Sequence, residues 1–160
     1  MKTTLLHFFI TLSGVTIISC SPLKSPIITK NETLENYKYV FITPTNNVNS
    51  GSGAVYGGYG ASTNRSINPG DVISGILTKN GFIKLPVINP ELSEETLIVN
   101  YGESGRRNRG LGYTIEVTIQ FVSAGSKKQI CSCTAEGQGE TEADDIRQAI
   151  TRCLSGLFNK

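Results

Sequence analysis

Four cysteines, one cluster of arginines and two pairs of adjacent carboxylates are what this chain offers to chemistry. Cys131 and Cys133 stand two apart, so on a strand they share a face. Cys153 falls on the apolar stripe of a helix that follows, and a disulfide from Cys153 to Cys131 or Cys133 suits an oxidising compartment. The competing reading keeps three small buried thiols that let helix and sheet approach closely. A fourth ligand of the right type is missing nearby, so no metal site is expected. Arg106, Arg107 and Arg109 lie in a glycine-bounded segment, 102–110. Guanidinium forks match carboxylate and phosphate, so the segment reads as an anion-binding loop or as a solvated hairpin tip. Residues 51–60 mix glycine and serine with Tyr56 and Tyr59. The Gly-Lys-Ser/Thr of a phosphate cradle does not follow. The stretch therefore reads as a loop showing two tyrosines to a partner, glycan or peptide, or as a plain insertion. Glu94/Glu95 and Asp144/Asp145 have simpler accounts as a turn and as charge at a helix start. The single histidine, His7, lies in a segment expected to be removed, which excludes a Ser-His-Asp triad, a Cys-His pair and a His-based zinc site. No catalytic residue and no cofactor are assigned.

The fourth cysteine has a different setting. Lys2 is followed by an apolar run from Leu5 to Ile18, then Ser19-Cys20. That is the layout of a secretory signal, too short and too rich in Thr and Ser for a comfortable membrane span. Ile17-Ile18-Ser19-Cys20 has the apolar-apolar-small-Cys order of a lipobox, where the thiol takes a diacylglycerol thioether and becomes residue one. Cys20 is thus the expected lipidation site, with residues 1–19 as signal peptide. Residues 20–36 carry two prolines and little periodicity and read as the lipidated cysteine and a tether. Ser21 is not the aspartate of inner-membrane retention, so the outer membrane, periplasmic face, is the expected address. Without Lys2 the chain has 14 basic and 13 acidic side chains, a balance that gives no field to draw in nucleic acid.

These residues need elements to hold them. Residues 37–43 are aromatic and β-branched and end at Pro44, a strand. Asn68-Pro69-Gly70-Asp71 opens a helix with Val72, Ile73, Ile76 and Leu77 buried, closed by Asn80-Gly81. Residues 82–85, 96–101, 112–122 and 128–136 read as strands. In the third of these Tyr113, Ile115, Val117, Ile119 and Phe121 alternate with polar residues, so one sheet face is covered and the other wet. Thr141-Glu142-Ala143-Asp144 resembles a capping box ahead of a stripe formed by Ile146, Ala149, Ile150, Cys153, Leu154, Leu157 and Phe158. The expectation is one α+β domain, 37–160: a mixed, mostly antiparallel sheet of four to five strands, two helices packed on one face, in the order β-α-β-β-β-α. Pairing the first strand parallel to strand 96–101 sets the two unusual loops at one end of the sheet, with the tether entering at the other.

The lipobox, the tether, Tyr37–Pro44, a helix ending in Gly81-Phe82, Leu97–Tyr101, Ile130–Gly137 and the stripe Ile146–Phe158 together resemble a family of small Gram-negative envelope lipoproteins of unassigned function. More distantly the layout is similar to lipoprotein activators of peptidoglycan synthases and to lipoproteins that assemble secretion pores. That resemblance implies a non-enzymatic accessory or scaffolding lipoprotein that binds another envelope component, protein or glycan. The alternative is a module for a small ligand or glycan using Tyr56, Tyr59 and the arginines.

Overall fold

The computed structural model describes residues 22–56, 59–109 and 112–158, apart from the side chains of 54–61. The leader and Cys20 lie outside the described residues. Four strands come first: β1 (Ile27–Lys30), β2 (Tyr39–Ile42), β3 (Val48–Tyr56) and β4 (Tyr59–Ile67). Helix α1 (Pro69–Lys79) and strand β5 (Ile83–Lys84) follow, then a 3-10 turn (Pro90–Glu95). Strands β6 (Thr96–Arg109), β7 (Gly112–Ser123) and β8 (Gln129–Gly137) lead into helix α2 (Glu142–Phe158).

The expected α+β class, sheet size and element order are overturned. A six-stranded mixed sheet, ordered β1-β8-β7-β6-β2-β5, is joined by a separate two-stranded ribbon, β3-β4. With eight strands and two helices among the described residues, the fold is predominantly β. Three stretches account for the difference. Residues 27–30, read as tether, form β1 and pair antiparallel with β8, Ile28 opposite Cys133. Residues 45–66, read as a loop, are mostly the ribbon, paired from Val48↔Ile67 to Tyr56↔Tyr59. Residues 102–109, read as a loop, continue β6.

The core lies between the sheet and both helices. Ile115, Val117, Ile119 and Phe121 of β7 and Leu97 and Val99 of β6 are fully buried. They meet Ile146, Ile150 and Leu154 of α2 and Ile73 and Leu77 of α1, also fully buried. Burial of such side chains stabilises by about 1.5–3 kcal/mol each before chain entropy is counted. Asn68 caps α1 by accepting from the Asp71 amide, and Gly81 stands after it at φ 91°, a left-handed backbone that favours glycine. Thr141 caps α2: its Oγ1 accepts from the Asp144 amide and donates to Asp144 Oδ2 at 2.8 Å. Gly137 has no room for a side chain, because a Cβ there would sit 1.8 Å from the Asp145 carbonyl oxygen. The end of β8 can therefore lie directly against the first turn of α2.

Cys133 and Cys153 are joined as a disulfide, Cα to Cα 5.4 Å, and Cys131 is a free buried thiol. The covalent link fastens β8 to α2 in the middle of the core.

Candidate functional site

β2 runs parallel to β6, Ile42 opposite Val99, so the ribbon leaves the domain at the end where the β6–β7 hairpin projects. The end of β8 and the start of α2 are there too. The sequence-predicted residues Arg106, Arg107 and Arg109 lie at this end, and the root of the ribbon is tied there too; Tyr56 and Tyr59 pair with one another six positions beyond Ser50, and their side chains lie outside the described residues.

Strand alternation decides where each arginine points. A bulge between Glu103 and Gly105 resets the register, so that Arg106 stands opposite Ile115 and Arg107 opposite Thr114. Arg106 then faces α2: its Nη2 donates to Glu142 Oε1 at 2.5 Å, and the guanidinium lies 5.2 Å from the centre of the Tyr113 ring. Arg107 faces the opposite side, where Nε and Nη2 donate to the two oxygens of Glu136 at 2.9 and 2.6 Å. Arg109 Nη1 donates to Gln138 Oε1. Each arginine of the hairpin is thus engaged inside the molecule, to α2, to β8 or to the segment after it.

Glu136 is the hub, and sequence reading did not single it out. Its carboxylate is buried and also accepts from the Lys24 amide at 3.1 Å, with Lys24 Nζ 3.6 Å away. The hydrogen bonds from Arg107 hold its pKa down to about 2; burial opposes them, and the Lys24 amide adds to them. Arg152 of α2 donates to the Glu136 carbonyl and, at 2.7 Å, to the Lys24 carbonyl. Lys24 is therefore clasped at the hairpin end. Since β1 runs antiparallel to β8, the chain enters the domain at this end and not at the opposite one as expected.

The ribbon is tied at its root. Ser50 Oγ accepts from the Ala143 amide at 2.9 Å, and Arg65 Nε is 3.3 Å from Asp144 Oδ2. Thr45 Oγ1 donates to Asn68 Oδ1 at 2.7 Å and accepts from the Gly70 amide, joining the approach to the ribbon with the cap of α1. Between ribbon root, hairpin and α2 lies a polar cleft of about 280 Å³, lined by Ser50, Tyr113, Gln138, Thr141, Glu142 and Asp145 among others. Burial raises the Asp145 pKa, and the Gly139 amide, which donates to its Oδ1, opposes the rise. A larger cleft, about 510 Å³, opens at the other end beside Lys30, Leu34, Leu157 and Phe158. Among the described residues there is no group of three or more His, Cys, Asp and Glu side chains arranged to hold a metal ion. Nor is any described helix long and apolar enough to cross a membrane.

No protein-family model matches the chain, and no curated protein matches it. Solved structures do. A subunit of the PelC dodecamer from Paraburkholderia phytofirmans, in a form carrying one leucine-to-methionine substitution, superposes with a TM-score of 0.50 at 13% identity, over 83% of this chain and 95% of that one. A second crystal form of the PelC dodecamer from the same organism gives a TM-score of 0.47 at 13% identity, over 85% and 98%. The chain is similar in fold to a PelC subunit.

Proposed function

We propose that this is a non-enzymatic envelope lipoprotein, anchored through Cys20 at the periplasmic face of the outer membrane. It acts there as a scaffold whose hairpin end joins another envelope component. The observation that carries the reading is the internal engagement of Arg106, Arg107 and Arg109. Side chains so held stiffen a projecting hairpin beside a projecting ribbon; they build a rigid contact surface rather than a reacting centre. A second copy of the chain is the first component to test, because PelC, to which it is similar in fold, forms a dodecamer.

The test is in-cell cross-linking of the full-length protein followed by affinity capture, beside a Cys20→Ser variant. A discrete adduct that disappears with Cys20→Ser supports a tethered scaffold, and its mass tells a second copy from a different partner. A membrane-bound protein that yields no adduct and stays monomeric in detergent sinks the scaffold reading.

A glycan-binding role is favoured by one further observation. Tyr113 is 37% exposed, with the Arg106 guanidinium over its ring, and borders the polar cleft with Gln138 and Glu142, so an aromatic side chain stands beside hydrogen-bonding groups that a sugar could engage. A soluble envelope glycan should then raise the melting temperature of the wild-type domain and not that of Tyr113→Ala.

A further inference from the structure

Resting on the lipid-anchor reading, we propose that the β3–β4 ribbon lies against the bilayer that holds Cys20, so that the hairpin end of the domain is its membrane side. Chain length gives the first support. Lys24 stands four positions after Cys20 in the sequence, a reach of at most about 14 Å. Lys24 does not swing freely, because its amide and carbonyl are both held, by Glu136 and Arg152. The hairpin end is therefore kept within a short span of the lipid, while the opposite end is not. β7 alone, with 12 residues, sets the β7–β8 turn roughly 40 Å away at ~3.4 Å per residue.

Composition and geometry give the second support. No charged residue occurs from Tyr39 to Asn64, a run that contains all of β3 and most of β4. The ribbon pairs for six residue positions beyond Ser50, from Gly51↔Asn64 to Tyr56↔Tyr59, roughly 20 Å past its root at ~3.4 Å per residue. Arg65, the one charged residue of β3 and β4, is paired with Asp144. Beyond Arg65 at its root the ribbon carries no charge, and its sequence there, rich in tyrosine, glycine, alanine and valine, suits the interface between headgroups and acyl chains, where tyrosine is enriched. Within the ribbon, backbone donors and acceptors face a paired strand on one side only, and the headgroup region supplies water and phosphate to the other.

The experiment uses the full-length, lipidated protein reconstituted into vesicles of phosphatidylethanolamine and phosphatidylglycerol. An environment-sensitive fluorophore is placed by Ser62→Cys on the ribbon, or by Ser126→Cys in the β7–β8 turn, both exposed positions. Cys131 is buried and Cys133 and Cys153 are bonded, so the new thiol is the one labelled. Flotation with the vesicles is measured first, then quenching by a lipid carrying a nitroxide near the headgroup. The expected result is several-fold stronger quenching at position 62 than at 126. A protein that floats but shows equal quenching, or none at 62, overturns the ribbon placement and leaves the anchor standing; a ribbon held by another protein would give that result. A protein that does not float overturns the anchor and this inference with it.

Discussion

At the scale of single residues, Glu136 carries the most consequence. Its folded pKa of about 2 lies below the ordinary value of 4.5. A depressed carboxylate contributes stability that is fully present above the unfolded pKa and disappears as pH falls through the folded one. The window is therefore about pH 4.5 down to about 2, and the contribution is on the order of 3 kcal/mol. Asp145 acts in the opposite sense, since burial raises its pKa and acidification relieves it. Glu136→Gln should melt lower than wild type at neutral pH and lose less as the pH falls to about 3. Parallel melting curves across that range would remove Glu136 from the account. Gly137 is a second sensitive position. Gly137→Ala should cost roughly 1–3 kcal/mol or more through overpacking against the Asp145 carbonyl, read by chemical denaturation. Gly75→Ala, where a Cβ meets nothing within 4 Å, should be neutral or stabilising.

At the scale of elements, what was legible in the sequence is what local physics writes. The caps at Asn68 and Thr141, the left-handed Gly81 and the apolar stripe of α2 depend on neighbours a few residues away, and each could be read. The alternation in β7 was readable because Ile115, Val117, Ile119 and Phe121 are buried while Glu116, Thr118 and Gln120 between them are not; at the start of the strand it fails, since Thr114 is buried and Tyr113 exposed. β1 was not, since three of its four residues are exposed and its partner β8 lies at the other end of the chain. The ribbon was missed for a related reason. Glycine and serine have low strand propensity, and beyond its root, where Val48 and Ile67 reach the core, the ribbon is held by the pairing of β3 with β4. The extension of β6 through Gly105 and the arginines is paired with β7 to Arg109↔Gly112 and braced by salt bridges to Glu136 and Glu142, whose positions no local pattern gives. The disulfide belongs to this scale, since it fixes strand to helix. Closing a separation of 20 residues should stabilise by about 3 kcal/mol, so Cys153→Ser should lower the unfolding midpoint accordingly. Cys131→Ser should leave the bond intact. The Cys131 thiol, pushed up to about 12 by burial, should resist alkylation until the protein is unfolded.

At the scale of the whole molecule, the sequence led to the right grouping of the two unusual segments at one end and to the wrong side for the chain entry. The error follows from β1 alone: one short edge strand reverses the direction in which the N-terminal segment reaches the domain. The clasp on Lys24 gives a direct check. Trypsin should cut slowly after Lys24 in wild type, since its backbone is held on both sides, and markedly faster in Arg152→Ala, while Arg147→Ala serves as the control on an exposed helix position. Equal rates in all three would mean that the clasp does not persist in solution.

The pairing of β1 with β8 also has a meaning in time. Lys24 and Glu136 are 112 residues apart along the chain, so a polypeptide threaded outward from its first residues shows Lys24 long before Glu136 exists to receive it. Closing so long a loop is also entropically late, after the local hairpins and α2 have formed. If Cys20 is acylated as proposed, the modifying enzyme meets the chain during that interval; once β8 arrives, Lys24 is clasped onto the domain. The order of export would in this way separate modification from folding, and a circularly permuted chain that presents β8 first should be acylated less completely.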